Sequence, residues 1–292
     1  MSAATTLSIR RLNPSLGVQV TGVDLADPTF KADGTNLFGE IQQAWLDSGG
    51  VMVIRDQTLE PEDQLAFSRR FGELDPLEGA TVEPYLHPDH PEIYRVSNKV
   101  KDGVKLGRQR AGVYWHSDNS HKERAAKASL LYGIEIPPYG GDTMFSNMTV
   151  AYEALSETFR RTIDGLRCIH DFEKAKSGSF KNETVTDRHL TTTPPISHPL
   201  VRTHPETGRK CLYLNAGVVT GIEGMDPEES ASILDFLYRH CVRPEFIYRH
   251  QWREKDLLIW DNRCTMHYAV ADYDGVGERY MHRTTVFGDR PV

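Results

Sequence analysis

The second half of the chain breaks into short runs rich in β-branched and aromatic residues: SLLYGIEI, KCLYLNA, EFIYRHQW, DLLIWD and RYMHRTTVFG. Turn-forming stretches such as PPYGGD, PETGRK and REKD separate them. A strand this short cannot bury its apolar face alone, so a chain cut this way must stack sheets into a sandwich or close a barrel. The first half starts differently. VMVIRDQ at 51–57 is an apolar run with a polar close, and EPEDQLAFSRRFG then carries Leu65, Phe67 and Phe71 ahead of Gly72, which predicts a helix and its stop. Another helix is expected in GMDPEESASILDFLYRHC, with Asp226 as N-cap, Pro227 at the first helical position and Glu229 completing a capping box. Ile233, Leu234, Phe236, Leu237 and Cys241 give that helix one apolar stripe, so it should pack on a sheet.

No repeat, low-complexity tract or long linker divides the chain, and one domain over residues 1–292 is expected. Residues 171–198 are polar, contain proline and lack periodicity; a loop of that length in a compact domain predicts a lid. A net charge of −7 opposes general affinity for nucleic acid, which needs clustered Lys and Arg to neutralise phosphates. The longest apolar runs fall far short of the ~20 residues of a membrane helix. The opening stretch has no apolar segment behind a basic start, so a cytoplasmic protein is expected. Cys168, Cys211, Cys241 and Cys264 are far apart without C-x-x-C spacing and read as reduced, buried hydrophobes. A homo-oligomer, dimer or tetramer, is the expected assembly.

Two His-x-Asp patterns compete for a metal-binding role: His87 and Asp89 in PYLHPDHPE, and His116 and Asp118 in GVYWHSDNSH. Ligand atoms must converge on one ion, so rigid presentation decides between them. His87 lies among Pro84, Pro88 and Pro91 in an acidic stretch that reads as an exposed extended loop. His116 follows the apolar VYW, which reads as a strand end entering a core, and makes the better pair. A third ligand type, His267, stands beyond the WDN turn in DLLIWDNRCTMHYAVADY. Two histidines and a carboxylate leave adjacent coordination positions open, the set suited to non-heme Fe(II) and oxygen chemistry, with zinc as the rival metal. Farther on, Arg279 and Arg283 in GERYMHRTTVFGDRP are four apart, so a strand there would send both into one cavity and His282 to the opposite face. Two guanidiniums in a pocket are costly unless anions pair with them.

At these residues the chain resembles the TauD/TfdA family of Fe(II)- and 2-oxoglutarate-dependent dioxygenases, typified by taurine dioxygenase and 2,4-dichlorophenoxyacetate dioxygenase. The resemblance runs in order through GVQVTGVDL, AFSRRFGEL, WHSD, PPYGGDTMFSNMTVAYEALS, HPLVRTHPETGRKCLYLN, WDNRCTMHYAVADY and HRTTVFGDRP. It implies a mainly β fold with outer helices, a double-stranded β-helix or jelly roll with inserted lid loops. It implies that His116, Asp118 and His267 hold Fe(II), and that Thr143 and Arg279 take the far carboxylate of 2-oxoglutarate. Arg283 matches a position that either supports that cosubstrate or grips the acidic group of the substrate. The implied reaction couples O₂ and 2-oxoglutarate to hydroxylation of a small anionic organic substrate, with release of succinate and CO₂. Taurine dioxygenases carry a histidine and a tyrosine shortly after the segment matching RFGEL, and DPLEGATVEP offers neither. VSNKVKDGVKLGRQRAGVYWHSDNSH resembles the aryloxyalkanoate branch, so an aryloxyalkanoate-type carboxylate is expected ahead of a sulfonate or alkyl sulfate. A zinc hydrolase and a non-catalytic jelly-roll binding module remain the rival classes.

Overall fold

The computed structural model describes residues 7–31, 36–77, 83–172 and 194–292. Its frame is a mainly antiparallel sheet in the order β1 (Ser8–Arg11), β2 (Val18–Thr21), β3 (Val51–Ile54), β15 (Leu257–Asp261), β7 (Ala126–Glu135), β17 (Tyr280–Phe287), β4 (Tyr94–Ser97). Against it lies a smaller sheet, β14 (Ile247–His250), β8 (Thr143–Asn147), β16 (Thr265–Ala269). A third sheet joins β10 (Ile196–Pro199), β9 (Arg167–His170) and β13 (Val219–Ile222), while β11 (Val201–Thr203) with β12 (Lys210–Leu212) and β5 (Val100–Lys101) with β6 (Val104–Lys105) form hairpins. This is the expected jelly roll.

The apolar runs are continuous because the large sheet is covered on both faces. Met52, Ile54, Leu130, Tyr132, Leu257 and Ile259 point outward into one apolar cluster. Val51, Val53, Leu131, Leu258, Trp260 and Met281 point inward into another, which Phe145 of the small sheet completes. Such two-sided burial removes the polar alternation that a strand with one wet face would show. The helices Leu37–Asp47 and Pro61–Arg69 cap the outer face, where Trp45, Phe67 and Phe71 pack edge to face with ring centroids 5.2 and 5.5 Å apart. Aromatic pairs in this geometry contribute about 0.5–1.5 kcal/mol beyond their area.

The helix Pro227–Cys241 has the expected capping box: Asp226 accepts from the Glu228 backbone and Glu229 accepts from the Asp226 backbone. Leu234, Leu237 and Cys241 are buried against the layer containing β13. Phe236, assigned to the same stripe from sequence, is instead 37% exposed and meets Phe159 edge to face, because it lies beyond the flank of the buried arc. All four cysteines are free and buried, as their spacing suggested. The lid expected at 171–198 falls mostly on residues 173–193, outside the described residues. Its flanks are held, since β9 and β10 pair from Ile196 opposite His170 to Pro199 opposite Arg167.

His170 and His198 are fully buried on those flanks, 5.1 Å apart edge to face, and His170 stacks on Tyr213. Among the described residues neither ring nitrogen of His170 has a hydrogen-bond partner, and burial pulls its pKa down to about 3 from an ordinary 6.5. Between those values the unfolded chain binds a proton that the folded chain refuses. The stability is therefore complete above pH 6.5 and is lost as pH falls toward 3. Replacing His170 by Phe is expected to flatten the pH dependence of unfolding free energy between pH 5 and 6.5 by up to ~1.4 kcal/mol per pH unit. Denaturant titrations at several pH values check it; an unchanged slope would mean that His170 does not carry this acid sensitivity.

Candidate active site

His116 and His267 are locked together through their backbones. The His116 amide donates to the His267 carbonyl at 3.0 Å and the His267 amide donates back at 2.8 Å, an isolated antiparallel bridge. This corrects the sequence reading of His116 as the end of a regular strand: residues 113–115 are irregular, and the bridge supplies the rigidity. A residue at position 112 with a Cβ would approach His116 Cε1 to 2.7 Å, and Gly112 has φ +76°, so only glycine lets the chain turn this closely under the ring. Tyr114 stacks on the other side of His116 at 4.5 Å. His267 is packed by Trp260, with centroids 4.8 Å apart, and by Phe145.

Asp118 reaches the same point. Its carboxylate oxygens lie 3.8 Å from His116 Nε2 and 3.9 Å from His267 Nε2, and the ligand atoms of the three buried residues fall within 4.8 Å of one another. The nitrogens face the carboxylate in the right protonation form. His116 Nδ1 lies 2.8 Å from the Tyr114 carbonyl, which can only accept, so the proton sits on Nδ1 and Nε2 keeps its lone pair. Burial lowers the pKa of both histidines, and for His267 the adjacent His116 lowers it further. Burial alone would raise Asp118, but the Arg283 guanidinium, then the two imidazoles and the Ser129 hydroxyl, hold its carboxyl well below the usual range. Neutral imidazoles beside an ionised carboxylate are what a divalent cation requires.

A second group, His204, Asp261 and Cys264, is equally close and buried but is already satisfied. His204 Nδ1 accepts from the Glu206 and Thr207 amides, Nε2 meets Asp261 at 3.0 Å, and both Asp261 oxygens accept from Arg263. Burial also pushes the Cys264 thiol well up, away from the thiolate that binds metals. His87 and Asp89 are spent locally. His87 Nδ1 accepts from the Asp89 amide at 3.2 Å, and its ring packs against His90 and His282 rather than standing in an exposed loop.

Arg283 lies in β17 and Arg279 immediately before it, so the two do not share one regular strand as their spacing suggested; Met281 between them points inward, while His282 faces outward opposite Tyr132. Their surroundings differ. Arg283 is half-buried, donates to Asp118 at 3.1 Å and lies over the Tyr94 ring, so its acidic neighbour is Asp118 itself. Arg279 is buried between Trp252 and Tyr273, its Nε has no hydrogen-bond partner, and no carboxylate pairs with it among the described residues. Burial lowers its pKa, partly offset by Tyr273. Thr143 connects to it through Trp252, whose indole N–H donates to Thr143 Oγ1 at 3.0 Å. The indole can only donate, so the Thr143 hydroxyl proton remains available for an incoming acceptor. Ser129, Asn262, Trp252 and Tyr273 escaped the sequence reading, since nothing local marks a buried serine or a turn asparagine as part of a site.

Residues 8–285 match the model of the family described as taurine catabolism dioxygenase TauD, TfdA family. The chain belongs to this family. It is 34% identical over 291 residues to the alpha-ketoglutarate-dependent 2,4-dichlorophenoxyacetate dioxygenase of Cupriavidus pinatubonensis, covering 96% of this chain and 98% of that one. Identity to the (S)-phenoxypropionate/alpha-ketoglutarate-dioxygenase of Sphingobium herbicidovorans is 33%, covering 96% and 95%. Among solved structures, a taurine dioxygenase from Burkholderia xenovorans superposes with a TM-score of 0.78 at 34% identity, over 98% of this chain and 91% of that one. AAD-2 in complex with Mn(II) and N-oxalylglycine superposes with a TM-score of 0.76 at 33% identity, over 98% and 99%. As a TauD/TfdA member the protein is a 2-oxoglutarate-dependent non-heme iron dioxygenase, using Fe(II), 2-oxoglutarate and O₂. The zinc hydrolase and the non-catalytic module fall away.

Replacing His116 by Ala is expected to abolish stoichiometric Fe(II) binding, whereas His87→Ala leaves it intact. Anaerobic titration calorimetry on both variants checks the choice, and loss of iron in the His87 variant would reverse it.

Proposed function

We propose that His116, Asp118 and His267 hold one Fe(II), that Arg279 and Thr143 anchor the distal carboxylate of 2-oxoglutarate, and that the enzyme hydroxylates a small organic acid of the aryloxyalkanoate type. The observation that carries the reading is a pairing of deficits. A convergent, buried His/Asp/His set is tied through Arg283 to the strand that follows Arg279, a buried guanidinium with no acid partner among the described residues. Bound Fe(II) with 2-oxoglutarate and O₂ supplies the oxidising power for a C–H bond, and succinate and CO₂ are released.

The chain's own residues bind and orient. The His116 and His267 bridge fixes the two imidazoles before any ligand arrives, and the ionised Asp118 completes the set without a proton to expel. Arg279, desolvated by Trp252 and Tyr273 yet still charged, gains a charge-assisted pair when a carboxylate binds, and the Thr143 hydroxyl donates a further bond. Arg283 commits Nη1 to Asp118, and its Nε has no partner among the described residues, so donors remain for an anionic group beside the metal position. That leaning toward acids agrees with relatives named for 2,4-dichlorophenoxyacetate, phenoxypropionate, sulfate esters and sulfonates. The aryloxyalkanoate class is favoured by the relatives named for it and by the lack of the His and Tyr expected after the RFGEL segment.

A succinate-release screen over aryloxyalkanoates, alkyl sulfonates, alkyl sulfates and taurine tests the substrate class. Turnover is expected to be greatest with an aryloxyalkanoate; faster turnover of taurine or of neutral ethers would overturn it. Arg279→Ala is expected to raise the 2-oxoglutarate requirement at least about tenfold, since charge-assisted bonds contribute roughly 1.5–3 kcal/mol. Thr143→Val should cost less, and an unchanged requirement in Arg279→Ala removes the anchor. Arg283→Leu is expected to compress the preference for an acid over its amide as well as to weaken iron binding. Weaker iron binding with an unchanged acid-to-amide ratio would confine Arg283 to holding Asp118.

A further inference from the structure

The WDN turn after β15 reads in sequence as a connector, yet Asn262 is 1% exposed and makes three hydrogen bonds with its side chain. Two of them determine which way its amide faces. The Trp260 indole N–H and the Asp118 backbone N–H can only donate, and both point at the same Asn262 atom, at 3.1 and 3.0 Å; that atom must be the oxygen Oδ1. The amide nitrogen Nδ2 therefore faces Ser129 Oγ, to which it donates at 3.0 Å. Having accepted that proton, the Ser129 hydroxyl turns its own toward Asp118 Oδ2, 2.7 Å away. Trp260 and Ser129 are direct cross-strand partners on β15 and β7, so the register of the large sheet holds the chain of bonds in line.

We infer that Asn262 is a positioning residue for the carboxylate of Asp118, holding its backbone directly and its Oδ2 through Ser129. This rests on the reading of Asp118 as a metal ligand. With Arg283 donating to Oδ1, the carboxylate is held at both oxygens and at its own amide before a metal binds. Ser129 is fully buried and Trp260 is 2% exposed, so water cannot replace any of these donors. The direction of the chain is the essential feature. In Asn262→Asp the shape is kept, but an acceptor replaces the Nδ2 donor. Ser129 then turns its proton to residue 262 and Asp118 Oδ2 loses its bond.

The test measures Fe(II) affinity, the visible charge-transfer absorption of the anaerobic Fe(II)–2-oxoglutarate complex, and the thermal midpoint of the metal-free protein. Asn262→Asp and Ser129→Ala are expected to weaken Fe(II) binding about 10–100-fold, the usual cost of removing a residue that orients a ligand. Ser129→Thr, which retains the hydroxyl, should recover most of the affinity and the absorption. The double variant Asn262→Asp/Ser129→Ala should be no weaker than the poorer single one, as expected for links in series. Ser68→Ala, which breaks a buried bond to Thr284 on the outer side of β17, should lower the midpoint alone. Wild-type affinity in both variants with lowered midpoints would show that the network only ties β15 to β7. Loss in Asn262→Asp but not in Ser129→Ala would overturn the Ser129 leg. If Asn262→Asp does not fold, the Ser129→Ala and Ser129→Thr pair decides. Failure of the wild type to bind Fe(II) would instead sink the reading of the site.

Discussion

The reciprocal backbone bond between His116 and His267 is the contact on which the site depends. One histidine comes from an irregular segment and the other from a strand far along the chain, so no local preference places them together. The bridge makes their relative position a property of the sheet edge, with ring centroids 4.0 Å apart. A small sheet that slipped its register by one residue would turn His267 away from the cavity along with Thr143 and Ala269. Fold and chemistry are therefore joined at one hydrogen-bonded pair.

Around that pair the electrostatics divide into a satisfied half and an unsatisfied half. Asp118 is ionised because Arg283, the imidazoles and Ser129 outweigh the penalty of burial. Arg279 is desolvated among aromatic rings, with no acid partner among the described residues. The two arginines are four residues apart in sequence, yet one holds a protein carboxylate while the other has no acid partner among the described residues. A buried cation without an acid costs several kcal/mol, and this is the physical ground for the proposed carboxylate anchor at Arg279.

The rejected clusters show what proximity alone does not establish. His204, Asp261 and Cys264 meet the same distance criterion as the candidate centre, but Arg263 takes both Asp261 oxygens and two amides take His204 Nδ1. The imidazole and the carboxylate of that group are already engaged, and burial keeps the Cys264 thiol protonated. In the candidate centre His116 Nε2 and His267 Nε2 have no such donors among the described residues, and Asp118 accepts one bond at each oxygen, from Arg283 and from Ser129.

The strand pattern of the second half, the capped helix at 227–241, the ligand-type residues His116, Asp118 and His267, and the arginine pair were legible in the sequence, because periodicity, caps and residue type are local or act through strand alternation. The family motifs around those residues made the chemistry legible as well. What the tertiary structure decided was every relation between distant segments. It gave Arg283 its partner in Asp118, showed that the rigidity of His116 comes from a bridge rather than a strand, and moved Phe236 out of the buried stripe. It also brought Ser129 and Asn262 to the carboxylate. A serine on a strand and an asparagine in a turn carry no signal of their own. Their meaning comes from the register of β7 against β15, and register is set by the packing of the whole sheet.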